Sequence, residues 1–298
     1  MKIIFHVHLF KDKFSLLSME NKSIFNESLK KAMGGGLSGA TAMTTQVLSL
    51  MWLRTTMNYQ YRYGTSTTHA LKTLYNQGGI SRFYKGLTPA LFQGPLSRFG
   101  DTAANVGVLH YLNSSDHTKN LPISVKTAFS SLTAAIWRIA IMPIDTTKTM
   151  LQVEGKNGFT NLVSKCSKNG PYVLFHGSLA ASSATFVGHF PWFFTYNYLD
   201  TKLPQYDTTL NNLVRNGAIG FSSSVVSDTC SNSLRVIKTY KQSSIDKISY
   251  IDATKNIVQT DGLSGLFGRG LQTRILANGL QGIVFSISWK FFQKKFFS

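Results

Sequence analysis

Apolar positions gather into six stretches of about twenty residues, separated by polar loops: about Ala32–Met57, Pro89–Leu112, Val125–Leu151, Leu179–Asp200, Leu213–Lys241 and Arg274–Phe292. Each is close to the roughly twenty residues a helix needs to cross a bilayer core of about 30 Å. No stretch is continuously apolar over 18 residues. Helices that surround a water-filled cavity need only one lipid-facing stripe, so polar positions on the other face are expected. Small residues cluster inside the odd-numbered stretches at Gly34–Ala40, Ser130–Ala135 and Gly217–Ser222, which lets helices approach closely. Pro143 lacks a backbone donor and clashes with the preceding turn, so a kink is expected there.

The punctuation between these stretches keeps one period. Ser49, Pro143 and Ser233 head equivalent segments, 94 and 90 residues apart. Gln77-Gly78, Asn169-Gly170 and Asp261-Gly262 recur at 92 and 92, and Gly86, Gly177 and Gly270 at 91 and 93. Such regularity predicts three tandem units, 32–120, 121–208 and 209–298, behind an extension at 1–31. Each unit reads as a helix, a loop carrying a short helix, and a second helix.

Composition changes this picture little. Hydrophobic content is 43% and mean hydropathy is −0.02, which a soluble protein would also show. The net charge of +18 suits a nucleic acid or an anionic membrane surface. The Lys and Arg residues are scattered between apolar stretches without any nucleic-acid-binding motif, which argues against the former. Cys166 and Cys230 offer neither a disulfide framework nor metal spacing, and no cofactor is expected. Residues 1–31 lack a secretory core with a cleavage site and contain no Arg, so they read as neither a signal peptide nor an Arg-rich presequence. Met19 offers an alternative start.

The segment Pro143-Ile144-Asp145-Thr146-Thr147-Lys148, with Gln152 and its eroded copies, resembles the mitochondrial carrier family over residues 30–298. The resemblance implies an all-α membrane protein with six transmembrane helices, three pseudo-symmetric repeats and short matrix-side helices. It also implies a multi-pass inner-membrane location, a monomer, and antiport by alternating access rather than enzymatic chemistry. In the family each odd helix brings an acid and, three residues on, a base to a matrix gate, and these share a helix face. Unit two supplies Asp145, Lys148 and the bracing Gln152. Unit three places Arg235 where the acid belongs, then Lys238 and Gln242. Unit one places Met51 in the acid position, then Arg54 and Asn58. Only the Asp145–Lys238 pair then survives. Lys148 is expected to face Met51, and Arg54 to face Arg235, a weak lock and a strong anion trap. Arg235 is expected either to turn out to a lipid phosphate or to be neutralised by an anionic solute. The family's outer gate acids are missing at Asn105-Val106, Tyr196-Asn197 and Trp289-Lys290.

The family's solute contacts carry over to Gln93-Gly94, Ala184-Thr185 and Ala277-Asn278. Ionisable groups inside membrane segments are costly and usually face water, a partner or a ligand. Arg98, Asp101, Arg138, His189, Asp228 and Arg274 are therefore candidates, with two open alternatives: Arg98 paired with Asp101, and His189 as a helix-end hydrogen bonder. Gln93, Arg98, Arg138, Thr185, His189, Arg274 and Asn278 form the expected solute set. Guanidinium groups suit carboxylate or phosphate. The expected solute is a small anionic metabolite, a di- or tricarboxylate such as citrate, since Arg98-Phe99-Gly100 is similar to an element of citrate carriers. Alternatives are a nucleotide or phosphate-bearing cofactor, and a carrier-fold scaffold without transport. Cardiolipin or another anionic lipid is expected at Tyr84, Lys85, Gly86, Gly158, Gly177 and Arg269, where basic groups meet free helix-start amides.

Overall fold

The computed structural model describes residues 26–30, 43–206, 208–244 and 246–282. Outside them lie Met19, the start of the first expected span (32–42) and the second half of the last (283–292), including Trp289-Lys290. No strand occurs among the described residues. Beyond a helical turn at 26–30, the helices are α1 (43–63), α2 (Thr67–Asn76), α3 (Gly79–Phe83), α4 (Leu87–Ser114), α5 (Ile123–Ala140), α6 (Met142–Glu154), α7 (Gly158–Asn169), α8 (Ser178–Lys202), α9 (Thr209–Ser243), α10 (Tyr250–Gly268) and α11 (271–282). Short 3-10 turns at Gly155–Asn157 and Pro171–Phe175 flank α7.

Local sequence explains the element ends. Ser66 caps α2 by accepting from the His69 amide, and Ser249 with Asp252 forms a reciprocal capping box on α10. The second odd helix breaks at Ile141, just before Pro143, giving α5 and α6. Ser233 stands at the equivalent place in α9, which runs 35 residues without a break. Proline, rather than the repeat itself, makes the break.

The three repeat-closing glycines explain how the units join. Gly86, Gly177 and Gly270 all have positive φ (84°, 83° and 67°), a region where glycine carries no Cβ penalty. A Cβ on Gly86 would lie 3.1 Å from the Lys148 carbonyl oxygen, and one on Gly177 would lie 3.1 Å from that of Lys238. On Gly270 it would lie 2.7 Å from the Tyr61 ring and 3.3 Å from the Met57 carbonyl oxygen. Each unit therefore sets the start of its even helix against the odd helix of the next, and the third returns to the first. This cyclic order is the pseudo-threefold arrangement.

Apolar packing is divided among small clusters at these seams rather than gathered in one core. Tyr61, Val236, Ile257 and Leu266 join units one and three, as do Leu50, Leu53 and Ala277. Outward, Val125, Phe129, Leu132 and Ile136 form an exposed stripe on α5 at helical spacing. Phe190, Phe194 and Tyr198 form a second on α8, each ring stacked on the next. By mean hydropathy no single helix among the described residues is long and apolar enough to cross a membrane. Among them, only the pair Ile123–Ala140 and Met142–Asn169, bent by 64°, passes that test. One polar face per helix lowers the average in this way.

Gly177→Val should destabilise the protein by about 1–3 kcal/mol, the cost of holding a β-branched residue in the left-handed region. Gly217→Ala, in the interior of α9 with open space around it, should be neutral or mildly stabilising. Thermal unfolding of both variants checks the contrast.

Candidate functional site

Helices α4, α5, α6, α8 and α9 enclose a pocket whose polar lining is Gln93, Arg138, Asp145, Thr185, Arg235 and Lys238, with Met142, Ala181 and Ala184 among its apolar walls. About 60 Å³ of it is open to the centres of water molecules. A single water needs roughly 10–15 Å³ on that measure, so the space holds a few waters or a small polar group. Gln93 and Thr185 reach it because each follows its unit's closing glycine by two helical turns.

Asp145 sits at the base of the pocket, its side chain 9% exposed, held by Lys148 at 2.9 Å on its own helix and by direct contact with Lys238 across the seam. Lys148 also donates to the Gln93 side-chain oxygen at 2.9 Å. Gln242 donates to Thr146 Oγ1 at 3.0 Å, to Asp145 Oδ2 at 3.3 Å and to Met142 Sδ at 3.2 Å, bracing unit three against unit two. Gln152 donates to Met51 Sδ at 3.4 Å and accepts from Asn58, bracing unit two against unit one.

Two gate expectations are corrected. Lys148 does not face Met51; it turns back to Asp145, because a carboxylate attracts it and a thioether does not. Arg54 and Arg235 do not form a facing pair. Arg54 turns to Met43 Sδ at 3.7 Å and Arg235 to Ser231 Oγ at 3.3 Å, each on its own helix. Two cations 4 Å apart repel by about 4 kcal/mol at an effective dielectric near 20, which favours this separation.

The remaining charges sort themselves across helices. Arg138 pairs with Asp101 at 2.7 Å and Arg274 with Asp228 at 2.6 Å, while Asn278 donates to the second Asp228 oxygen. The expectation that Arg98 pairs with Asp101 is therefore corrected: Arg98 is exposed and outside the pocket lining. His189 bonds Ser131 Oγ at 2.8 Å and meets Phe193 edge-on, tying α8 to α5. Of the expected solute set, Gln93, Arg138 and Thr185 line one pocket; Arg98, His189, Arg274 and Asn278 do not. Arg235 and Lys238, read in the sequence only as gate residues, line it as well.

A second ring lies at the C-terminal ends of the odd helices. Arg82 donates to the carbonyls of Gln152 and Val153, both at 2.8 Å. Lys165 donates to those of Gln242 and Ser244, at 3.2 and 2.6 Å. Arg269 donates to those of Tyr61 and Arg62, at 3.4 and 3.2 Å, and pairs with Asp261. One buried cation per unit thus caps the next unit's odd helix, where unpaired carbonyls and the helix dipole favour positive charge. Arg269, expected at a lipid phosphate, is engaged internally, with its side chain 3% exposed. Gly158 is close-packed rather than open: a Cβ there would lie 2.6 Å from the Met150 carbonyl oxygen. Tyr84 donates to the Leu48 carbonyl at 3.4 Å and Lys85 is half-buried. Nothing in the residue order points to the roles of Arg82 and Lys165, because their partners are backbone atoms 70 and more positions away.

Three helical hairpins closed in a ring around a charged pocket define a solute carrier of the three-repeat kind. The mitochondrial carrier protein family model matches residues 26–113, 119–207 and 210–298, and the chain belongs to that family, whose members transport solutes and are not enzymes. No curated protein matches it.

Asp145→Asn should cost about 3–5 kcal/mol, because it leaves Lys148 and Lys238 buried without a carboxylate; thermal unfolding reads this directly. His176, beside α8, is pushed down from 6.5 to about 4 by burial and by Lys165, Lys241 and Lys247. In the folded protein it stays neutral while the unfolded chain takes up a proton near 6.5. Its contribution is therefore complete above pH 6.5 and is lost as pH falls toward 4. A His176→Gln variant should lose less melting temperature than the parent over that interval.

Proposed function

We propose that the protein carries a small anionic metabolite, a di- or tricarboxylate such as citrate, across the mitochondrial inner membrane by alternating access. The observation that carries this reading is Arg235. It lines the pocket and, among the described residues, makes no ion pair with a carboxylate. With Arg138 and Lys238 against Asp145, the lining carries three cations and one acid. A carboxylate can accept two parallel hydrogen bonds from a guanidinium, which gives both affinity and orientation. Arg98-Phe99-Gly100 lends no support to citrate in particular, since Arg98 is exposed and Phe99 packs against Trp137.

A nucleotide fits less well. No aromatic ring is among the lining residues, and Trp192 is stacked on Tyr196 at 5.1 Å while its indole N–H faces Ser224. Anionic lipid such as cardiolipin remains a reasonable partner for the half-buried Lys85 at the seam between units one and two, with the carrier acting as a monomer.

Reconstituted into liposomes, the protein should take up labelled citrate or malate saturably, faster when the vesicles are loaded with a carboxylate, and should take up ATP poorly. Uptake of ATP without carboxylates, or no uptake of any anion, would refute the proposal.

A further inference from the structure

At the seam between units three and one, three guanidinium groups gather with one acid among them. Arg274 on α11 binds Asp228 of α9 through Nε at 2.6 Å and reaches Met57 Sδ of α1 at 3.9 Å, so it bridges the two units. Arg54 lies one turn before Met57 on α1, and Arg235 lies two turns beyond Asp228 on α9. Arg274 is an electrostatic neighbour of both. Asp228 is already fully engaged, because its second oxygen accepts from Asn278. Arg54 and Arg235 are left with a thioether and a hydroxyl, and the Arg54 Nε is buried without any partner. Below them the seam is tied by neutral hydrogen bonds, Tyr61 to Asn232 at 3.2 Å and Thr273 to Gln60 at 2.6 Å, and by Arg269 on the Tyr61 and Arg62 carbonyls.

We propose that Arg54, Arg235 and Arg274 form an oxyanion site at this seam, and that a carboxylate of the bound solute stands there in place of the gate acid that Arg235 has replaced. The proposal rests on the anionic-solute reading and adds where one anionic group of the solute sits and what it does. Arg235 faces the pocket while Arg54 belongs to the neighbouring unit, so an anion between them both binds and ties the units together. Guanidinium groups suit this role, being always charged, planar and able to bind two oxygens at once. Arg235 is then the residue that restricts the cargo to anions, and closure toward the matrix at this seam depends on the cargo.

The test compares the parent with Arg235→Glu, Arg235→Gln and Arg235→Lys in neutral detergent, first without anionic lipid and then with added cardiolipin. The probes are citrate, malonate and inorganic phosphate; the readouts are melting temperature and uptake after reconstitution. In the parent, citrate should raise the melting temperature without any lipid present. In Arg235→Glu the ligand-free protein should melt about 3 °C or more higher, since the introduced carboxylate supplies a counter-ion to the guanidinium cluster around Arg274, and the citrate shift should vanish. Arg235→Gln should raise the uptake KM about 10- to 100-fold without stabilising the ligand-free protein, and Arg235→Lys should recover part of the affinity. Should Arg235→Glu fail to fold, the Gln and Lys pair decides alone. A citrate shift and KM unchanged in Arg235→Glu or Arg235→Gln would overturn the site. So would a parent that only cardiolipin stabilises, with that effect lost in the variants, since the occupant would then be a lipid phosphate. A parent that neither binds nor transports any small anion sinks the carboxylate reading itself, whereas normal transport by the variants sinks only this inference.

Discussion

Each unit grips the next by placing one buried cation on the exposed carbonyls at the C-terminal end of an odd helix, and the ring depends on that contact. A helix ends with four carbonyls that find no partner within it. Here these ends lie at the seams, where Arg82, Lys165 and Arg269 meet them. The cation gains several charge-assisted hydrogen bonds and the negative end of the dipole, which offsets its desolvation. Beside each contact a glycine of positive φ lets the even helix start flush against the same neighbour. Cation and glycine together fix rotation and distance at each seam, so the helices can surround a polar pocket without a large shared apolar core.

With the ring closed in this way, the gate can be lopsided. The seam between units two and three carries the ion pair of Asp145 with Lys238 and the Gln242 brace. Between units one and two the gate-level links are Asn58 to Gln152, Gln152 to Met51 and Lys148 to Gln93, none of them an ion pair. Between three and one, the gate-level charges are Arg54, Arg235 and Arg274, and the one acid beside them, Asp228, is occupied by Arg274 and Asn278. One acid serving a threefold arrangement leaves positive charge on the other two sides. That imbalance of charge is what the proposed anionic cargo would answer.

Much of this was legible from residue order. Spans expected at Pro89–Leu112 and Leu179–Asp200 are found at Leu87–Ser114 and Ser178–Lys202, and the kink expected at Pro143 appears as a helix break at Ile141, whereas Pro95 and Pro191 are accommodated inside α4 and α8. The surviving pair of Asp145 and Lys238 is what the family resemblance implies, and the two are in contact. Partners for the other charges did not, because they depend on how helices are rotated against each other. Arg98 precedes Asp101 by one turn, which invites a local pair, yet Asp101 takes Arg138. The reason lies next door: the Trp137 ring fits against Gly100, where a Cβ would come within 1.8 Å of it, and the indole N–H bonds the Leu96 carbonyl at 2.8 Å. That contact draws α5 onto α4 and delivers Arg138, the next residue, to Asp101. No local pattern in the sequence encodes such a fit.

In the proposed alternating-access cycle, opening at this gate would separate Asp145 from Lys238, and the two sides of that break are not equivalent. Asp145 keeps Lys148, three residues along its own helix and bound at 2.9 Å, so its carboxylate retains a counter-ion in either state. Lys238 has no such reserve. Its neighbour one turn back is Arg235, a like charge, so separation leaves two cations together on α9. A buried acid stripped of every partner would cost several kcal/mol, whereas an acid that carries its own base costs much less. Most of the penalty for opening therefore falls on the side of the seam that faces the pocket. A solute shifts the balance between states only as far as it binds one better than the other. An anion beside Arg235 and Lys238 would do so in the direction of opening at this seam, by replacing the carboxylate that Lys238 has lost.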